Sequence, residues 1–274
     1  MASLFEDQAA GLRRIFARAP EAARIVFTGA GEDGRGPLIA GLARALAGAG
    51  KELLVVDERG GGEGVMAAFG IASRFDLLQA ANGDVAAHRV VYRAEAAIGV
   101  VAAARAVRAC ARGDAAQRRR IGDWLQRAAQ GADFLLLDGA ACVEEGASAL
   151  LPAGGRRVLI AAAGSVGLTE AYARLKRMVR SCDVRPALEV VVSRAGSRPE
   201  ADRAFGNLRE VARRHLGIDL TLLGSLPARG DAQAACDALA QRLLQSPAAA
   251  AADGAAAARQ PAARHCLATA DPVV

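Results

Sequence analysis

The residues best able to handle phosphate stand in one short run, Gly29-Ala30-Gly31-Glu32-Asp33-Gly34-Arg35-Gly36. An apolar run, Ile25-Val26-Phe27, precedes it, and a helical pattern opening at Pro37 follows. Strand, glycine loop and helix in that order form a phosphate cradle. Backbone N–H groups converge on the anion, while the lysine and hydroxyl of G-x-x-x-x-G-K-S/T hold phosphate and Mg²⁺. Gly29 and Gly34 keep the spacing, but Arg35 stands at the lysine position and Gly36 at the hydroxyl position. Arg35 retains a cation on a bulkier, planar fork. Glu32 and Asp33 bring two negative charges close to where phosphate would lie, each costing about 1–4 kcal/mol at contact distance. The plainer reading of the same glycines is a tight turn from strand to helix, and Pro37 at the first helical position suits such a start.

Two carboxylates extend the pattern. Asp57 closes Leu53-Leu54-Val55-Val56, and Asp138 closes Phe134-Leu135-Leu136-Leu137. An aspartate at the tip of an apolar strand beside a phosphate loop is the usual place for a Mg²⁺ ligand. One such aspartate serves equally well as a helix or turn cap. Two of them, downstream of the loop, favour a nucleotide-fold ancestry.

These residues meet only if three strands end side by side. The apolar runs predict strands at Arg24–Thr28, Glu52–Asp57, Asp133–Asp138, Arg157–Ala162, Leu188–Ser193 and Leu220–Gly224, with Ile98–Ala102 as a less distinct seventh. Helical periodicity falls at 37–49, 73–81, 114–130, 167–181, 198–215 and 231–245. Strands that are apolar along their whole length are covered on both faces. Their alternation with helices predicts an α/β, doubly wound, mostly parallel sheet of the P-loop NTPase type, with ligands at the carboxyl ends of the strands. Residues 3–17 predict an amphipathic helix, with a capping pattern at Ser3 and Glu6 and with Phe5, Ala9, Leu12 and Phe16 at helical spacing. This gives an arm over 1–20, a domain over 21–245 and an Ala/Pro/Gly-rich tail over 246–274.

Composition narrows the class. The 274 residues carry a formal charge of +6, and only Lys51 and Lys176 are lysine, so the positive charge is almost all arginine. Neither lysine can restore the loop by a small register shift. The arginines are scattered, which favours solvated helix faces over a nucleic-acid or lipid surface. Cys110, Cys142, Cys182, Cys236 and Cys266 are odd in number and far apart, which argues against zinc and against a disulfide framework. No signal-peptide pattern opens the chain and no run is apolar enough to span a membrane, so a cytoplasmic location is expected.

Three stretches resemble the MinD/ParA, or deviant Walker A, class of P-loop ATPases, and within it the flagellar-number regulator branch (FlhG). Asp7-Gln8-Ala9-Ala10-Gly11-Leu12-Arg13-Arg14 resembles that branch's DQA-x-x-LR arm. Leu168-Thr169-Glu170-Ala171-Tyr172 resembles its S-L-T-D-A-Y segment, and Leu223-Gly224-Ser225-Leu226-Pro227 its L-G-x-I-P turn. The resemblance covers about residues 5–245.

It implies a worn nucleotide site. In the loop G-K-G-G-V-G-K-T the two lysines are replaced by Ala30 and Arg35, and the threonine by Gly36. Gly29, Gly31, Gly34, Arg35 and Gly36 would be vestigial nucleotide contacts. Asp57 and Asp138 would be vestigial Mg²⁺ ligands. The water-activating aspartate of D-A-D-x-G is Arg59, the Walker-B threonine is Gly139, and the adenine-contacting asparagine is Ser193. ATP and Mg²⁺ are thus doubtful cofactors, and no catalytic residue is assigned. The resemblance implies instead an arm that stimulates a signal-recognition-particle-type partner GTPase (FlhF-like). Asp7, Gln8, Leu12 and Arg13 would be the residues engaged, with Gln8 able to orient the attacking water. A homodimer is compatible with this class, and no specific nucleic-acid partner is expected. Membrane contact is expected to be weak or indirect, because 231–245 carries one cation, Arg242, and the tail has little apolar area. The rival expectations are an ATPase using Arg35 with Asp57 or Asp138, and a ParA-like DNA- or cargo-positioning protein.

Overall fold

The computed structural model describes residues 22–29, 34–140, 148, 150, 155–180 and 188–245. The 3–17 helix, the arm and the tail lie outside them, as do Gly31, Glu32 and Asp33.

Eight strands form one sheet: β1 (Ala23–Gly29), β2 (Leu53–Asp57), β3 (Val91–Glu95), β4 (Ile98–Ala102), β5 (Phe134–Asp138), β6 (Arg156–Ala162), β7 (Leu188–Ala195) and β8 (Leu220–Pro227). Their order is β3-β4-β2-β5-β1-β6-β7-β8. All pairs are parallel except β3 with β4. The helices are α1 (Arg35–Gly48), α2 (Val65–Ala68), α3 (Leu77–Ala81), α4 (Ala104–Arg112), α5 (Ala115–Ala128), α6 (Ser165–Arg180), α7 (Arg198–Leu216) and α8 (Ala232–Leu244), with a short 3-10 turn at Ala87–Arg89. This is the doubly wound architecture that the alternating pattern predicts.

Alternate residues of each central strand feed opposite cores, as the two-residue period of a strand requires. Ile25, Phe27, Val55 and Leu136 face Leu38, Ile39, Leu42 and Leu46 of α1 and Leu239 and Leu243 of α8. Val26, Leu54, Val56 and Leu137 face Val107 of α4 and Ile121, Trp124 and Leu125 of α5. From β6 onward, Leu159, Val190 and Val192 pack against Leu175 and Met178 of α6 and Leu208 of α7.

Three expectations change. The antiparallel edge strand β3 was not foreseen, nor were α2 and α4. The helix expected over 73–81 is confined to Leu77–Ala81, where Asp76 and Gln79 form a capping box. The first helix begins at Arg35, not Pro37, so Pro37 is its third residue. Gly34 precedes it in the left-handed region, at φ 68°, which suits a residue without a Cβ. No helix among the described residues is long and apolar enough to cross a membrane.

Candidate functional site

Sheet order brings the predicted tips together. β5 lies between β2 and β1, so Asp57 pairs in register with Asp138, and Asp138 with Phe27. Gly29 ends β1 beside them, Gly34 is the N-cap residue of α1, and Arg35 and Gly36 open it. Buried Arg174 of α6 donates to the Gly29 carbonyl at 2.6 Å, fastening the mouth of the loop.

Arg35 turns inward rather than toward an exposed anion. Its Nε lies 2.7 Å from Asp138 Oδ1, and the two side chains are 3% and 0% exposed. Asp138 Oδ2 accepts the Val65 N–H at 3.1 Å. Asp57 is equally committed: Oδ1 accepts from the amides of Arg59 at 3.0 Å and Gly60 at 2.8 Å, and Oδ2 from Met66 at 3.0 Å. The two aspartates therefore cap the first turn of α2 from a distance, supplying acceptors that Gly64, its own N-cap residue, lacks.

The connection between β2 and α2 lies tightly on the start of α1. A Cβ at Gly36 would stand 2.8 Å from the Glu63 carbonyl oxygen and 2.9 Å from that of Gly64, both backbone atoms. A threonine cannot enter without moving that chain. A Cβ at Gly64 would overlap the Asp57 carboxylate. Arg59 lies alongside, its guanidinium 3.0 Å from Glu63 Oε2.

Mg²⁺ needs several oxygen ligands in near-octahedral array. Here one carboxylate is paired with a guanidinium, and both are bound by backbone amides. The hydroxyl position has neither oxygen nor space. The residues do not fit the ion. Among the described residues, no group of three or more His, Cys, Asp and Glu side chains could hold a metal.

Glu58 escaped the sequence reading. It follows Asp57 and is buried, accepting from the Ala140 N–H at 3.0 Å and from the Ser148 hydroxyl. Burial pushes its carboxyl up to about 7. The Ser148 and Ala140 hydrogen bonds and the charge of Arg35 pull it down, and Asp138 pushes it up. A second acidic residue at a strand tip was the available signal, but a charged side chain before Gly60-Gly61-Gly62 reads as exposed loop. Arg174 was hidden in the same way, as one arginine of a helix rich in cations. Ser193 lies inside β7 with its hydroxyl buried and without a hydrogen-bond partner among the described residues, and Gly139 donates its N–H to the Phe27 carbonyl at 3.0 Å.

No family model and no curated protein sequence matches the chain. Solved structures do. The MinC:MinD cell division protein complex of Aquifex aeolicus matches with TM-score 0.65 at 18% identity, over 82% of this chain and 96% of that one. The MinD cell division protein of the same organism matches with TM-score 0.63 at 17% identity, over 82% and 98%. The McdA–ATP complex of Cyanothece matches with TM-score 0.58 at 15% identity, over 88% and 98%. The likeness is one of fold: the chain has the fold of the MinD/ParA ATPases.

Proposed function

We propose that this is a member of the MinD/ParA family, of the flagellar-number regulator (FlhG) branch, that acts by protein contact rather than by ATP turnover. On this reading the arm over 1–20 docks on an FlhF-like GTPase and Gln8 orients the attacking water there, with Asp7, Leu12 and Arg13 holding the arm in place. The 21–245 domain is a scaffold, the output is flagellar number or placement, and the setting is the cytoplasm. The observation that supports it is the buried Arg35–Asp138 pair, which puts an internal ion pair where the fold's ATPases need a free cation and a free metal ligand. The test mixes the full chain with the partner GTPase. Stimulated GTP hydrolysis that Gln8→Ala abolishes supports the reading, and an unchanged rate ends it. Calorimetry with Mg·ATP tests the ATPase alternative, which requires binding by the unaltered chain.

One observation favours a second reading, a ParA-like DNA- or cargo-positioning protein. Arg105, Arg108, Arg112, Arg118, Arg119, Arg120 and Arg127 of α4 and α5 are all exposed, and none enters an ion pair among the described residues. That layer has no exposed large apolar residue, so a partner would be held by charge.

A further inference from the structure

In P-loop NTPases a strand-tip aspartate holds Mg²⁺ beside the nucleotide phosphates. Here Arg35, Asp57 and Asp138 themselves tie the strand tips to the chain that follows β2. Asp138 has the Arg35 guanidinium 2.7 Å from one oxygen as an ion pair and accepts the Val65 amide on the other. Asp57 receives Arg59, Gly60 and Met66 amides. Every one of those amides belongs to the 59–66 segment, and the guanidinium from α1 supplies the positive charge beside them. The packing is close enough that neither Gly36 nor Gly64 has space for a side chain.

We propose that Arg35 is a built-in cation, a positioning residue that holds the 58–66 segment and α2 in one conformation whether or not nucleotide is present. The strand-tip face offered to a partner is then constant, and the nucleotide cycle that would rearrange this segment has been replaced by a fixed ion pair. The inference rests on the geometry of Arg35, Asp57 and Asp138 and is independent of the arm. Its test uses this chain alone, so its failure is distinct from a failed GTPase assay. An isolated buried charge is the hazard in testing it: Arg35→Met leaves Asp138 uncompensated and threatens folding. The pair of substitutions Arg35→Met and Asp138→Asn removes both charges while keeping an oxygen to accept the Val65 amide.

Hydrogen exchange, read by mass spectrometry on peptides covering 58–68, decides the matter. In the unaltered chain, millimolar Mg·ATP leaves exchange of these peptides unchanged; added protection overturns the proposal. In the double variant, the Val65 and Met66 amides exchange at least tenfold faster, while peptides from β7, α7 and β8 keep their rates. Equal exchange in the double variant overturns the proposal, because the segment would then hold without the cation. Arg35→Lys, which keeps the charge on a different head group, falls between the two; exchange as fast as in the double variant counts against the charge as the cause.

Discussion

Glu58 keeps its proton into the neutral range because its carboxyl is buried beside Asp138. Its folded pKa, about 7, lies above the ordinary value of 4.5, so the folded state binds the proton more tightly. The stabilisation is complete below about pH 4.5 and is lost as pH rises through about 7. Shifted by that much, the group is worth about 3 kcal/mol between the two limits. Glu58→Gln, which cannot ionise, should flatten the fall in denaturant-derived stability between pH 5 and pH 7.5, limits chosen about either side of the shift. A slope equal to that of the unaltered chain would mean that Glu58 is ionised in the folded state. Gly36→Thr tests the neighbouring contact. Restoring the hydroxyl should cost about 1–3 kcal/mol of overpacking and yield no Mg²⁺ binding by calorimetry. A gain in Mg²⁺ affinity without loss of stability would show that the backbone of Glu63 and Gly64 yields.

At the scale of elements, α2 is the informative piece. It has four residues and no side-chain cap of its own, so its start depends on Asp57 and Asp138. Asp57→Ala removes the acceptor of three amides and should lower stability by about 2–4 kcal/mol, with the loss read from the urea midpoint. A loss below about 0.5 kcal/mol would place water, not Asp57, as the effective acceptor. The same dependence explains what could be read from sequence. β2 and β5 are buried along their whole length, so each wrote an uninterrupted apolar run before its aspartate; β4, equally buried but interrupted by Gly99, was less distinct. β3, Val-Tyr-Arg-Ala-Glu, is a half-exposed edge strand and wrote none. α4 buries only Ala106, Val107 and Cys110, side chains too small to register as a stripe, and α2 is shorter than any helical period could reveal. Asp57 and Asp138 were legible as a pair because each ends such a run. Their partners were not, since amides of a four-residue helix and an arginine folded inward leave no mark in residue type.

At the scale of the whole molecule, the sheet keeps three apolar cores on its two faces. Its charge is less evenly placed. Residues 104–128 carry seven arginines against two aspartates, a net charge of +5, when the entire chain carries +6. Seven of the arginines thus gather in one helical layer, α4 with α5, over one face of the sheet. On α4, Arg105, Arg108 and Arg112 share a side, as their spacing of three and four residues requires, while Ala106, Val107 and Cys110 face the core. Elsewhere several arginines are paired: Arg209 with Asp219, Arg198 with Asp202 and Arg156 with Glu189. An exposed arginine layer without apolar anchors can attract a polyanion only through charge, so its binding must weaken steeply with salt. Replacing Arg105, Arg108 and Arg112 by alanine should leave the melting temperature within about 2 °C, because exposed substitutions change stability little. If duplex DNA binds this layer, the same variant should reduce the slope of log affinity against log salt by roughly 2–3. An unchanged slope, or no binding by the unaltered chain at low salt, removes the DNA-positioning reading and leaves α4 and α5 as a solvated face of the scaffold.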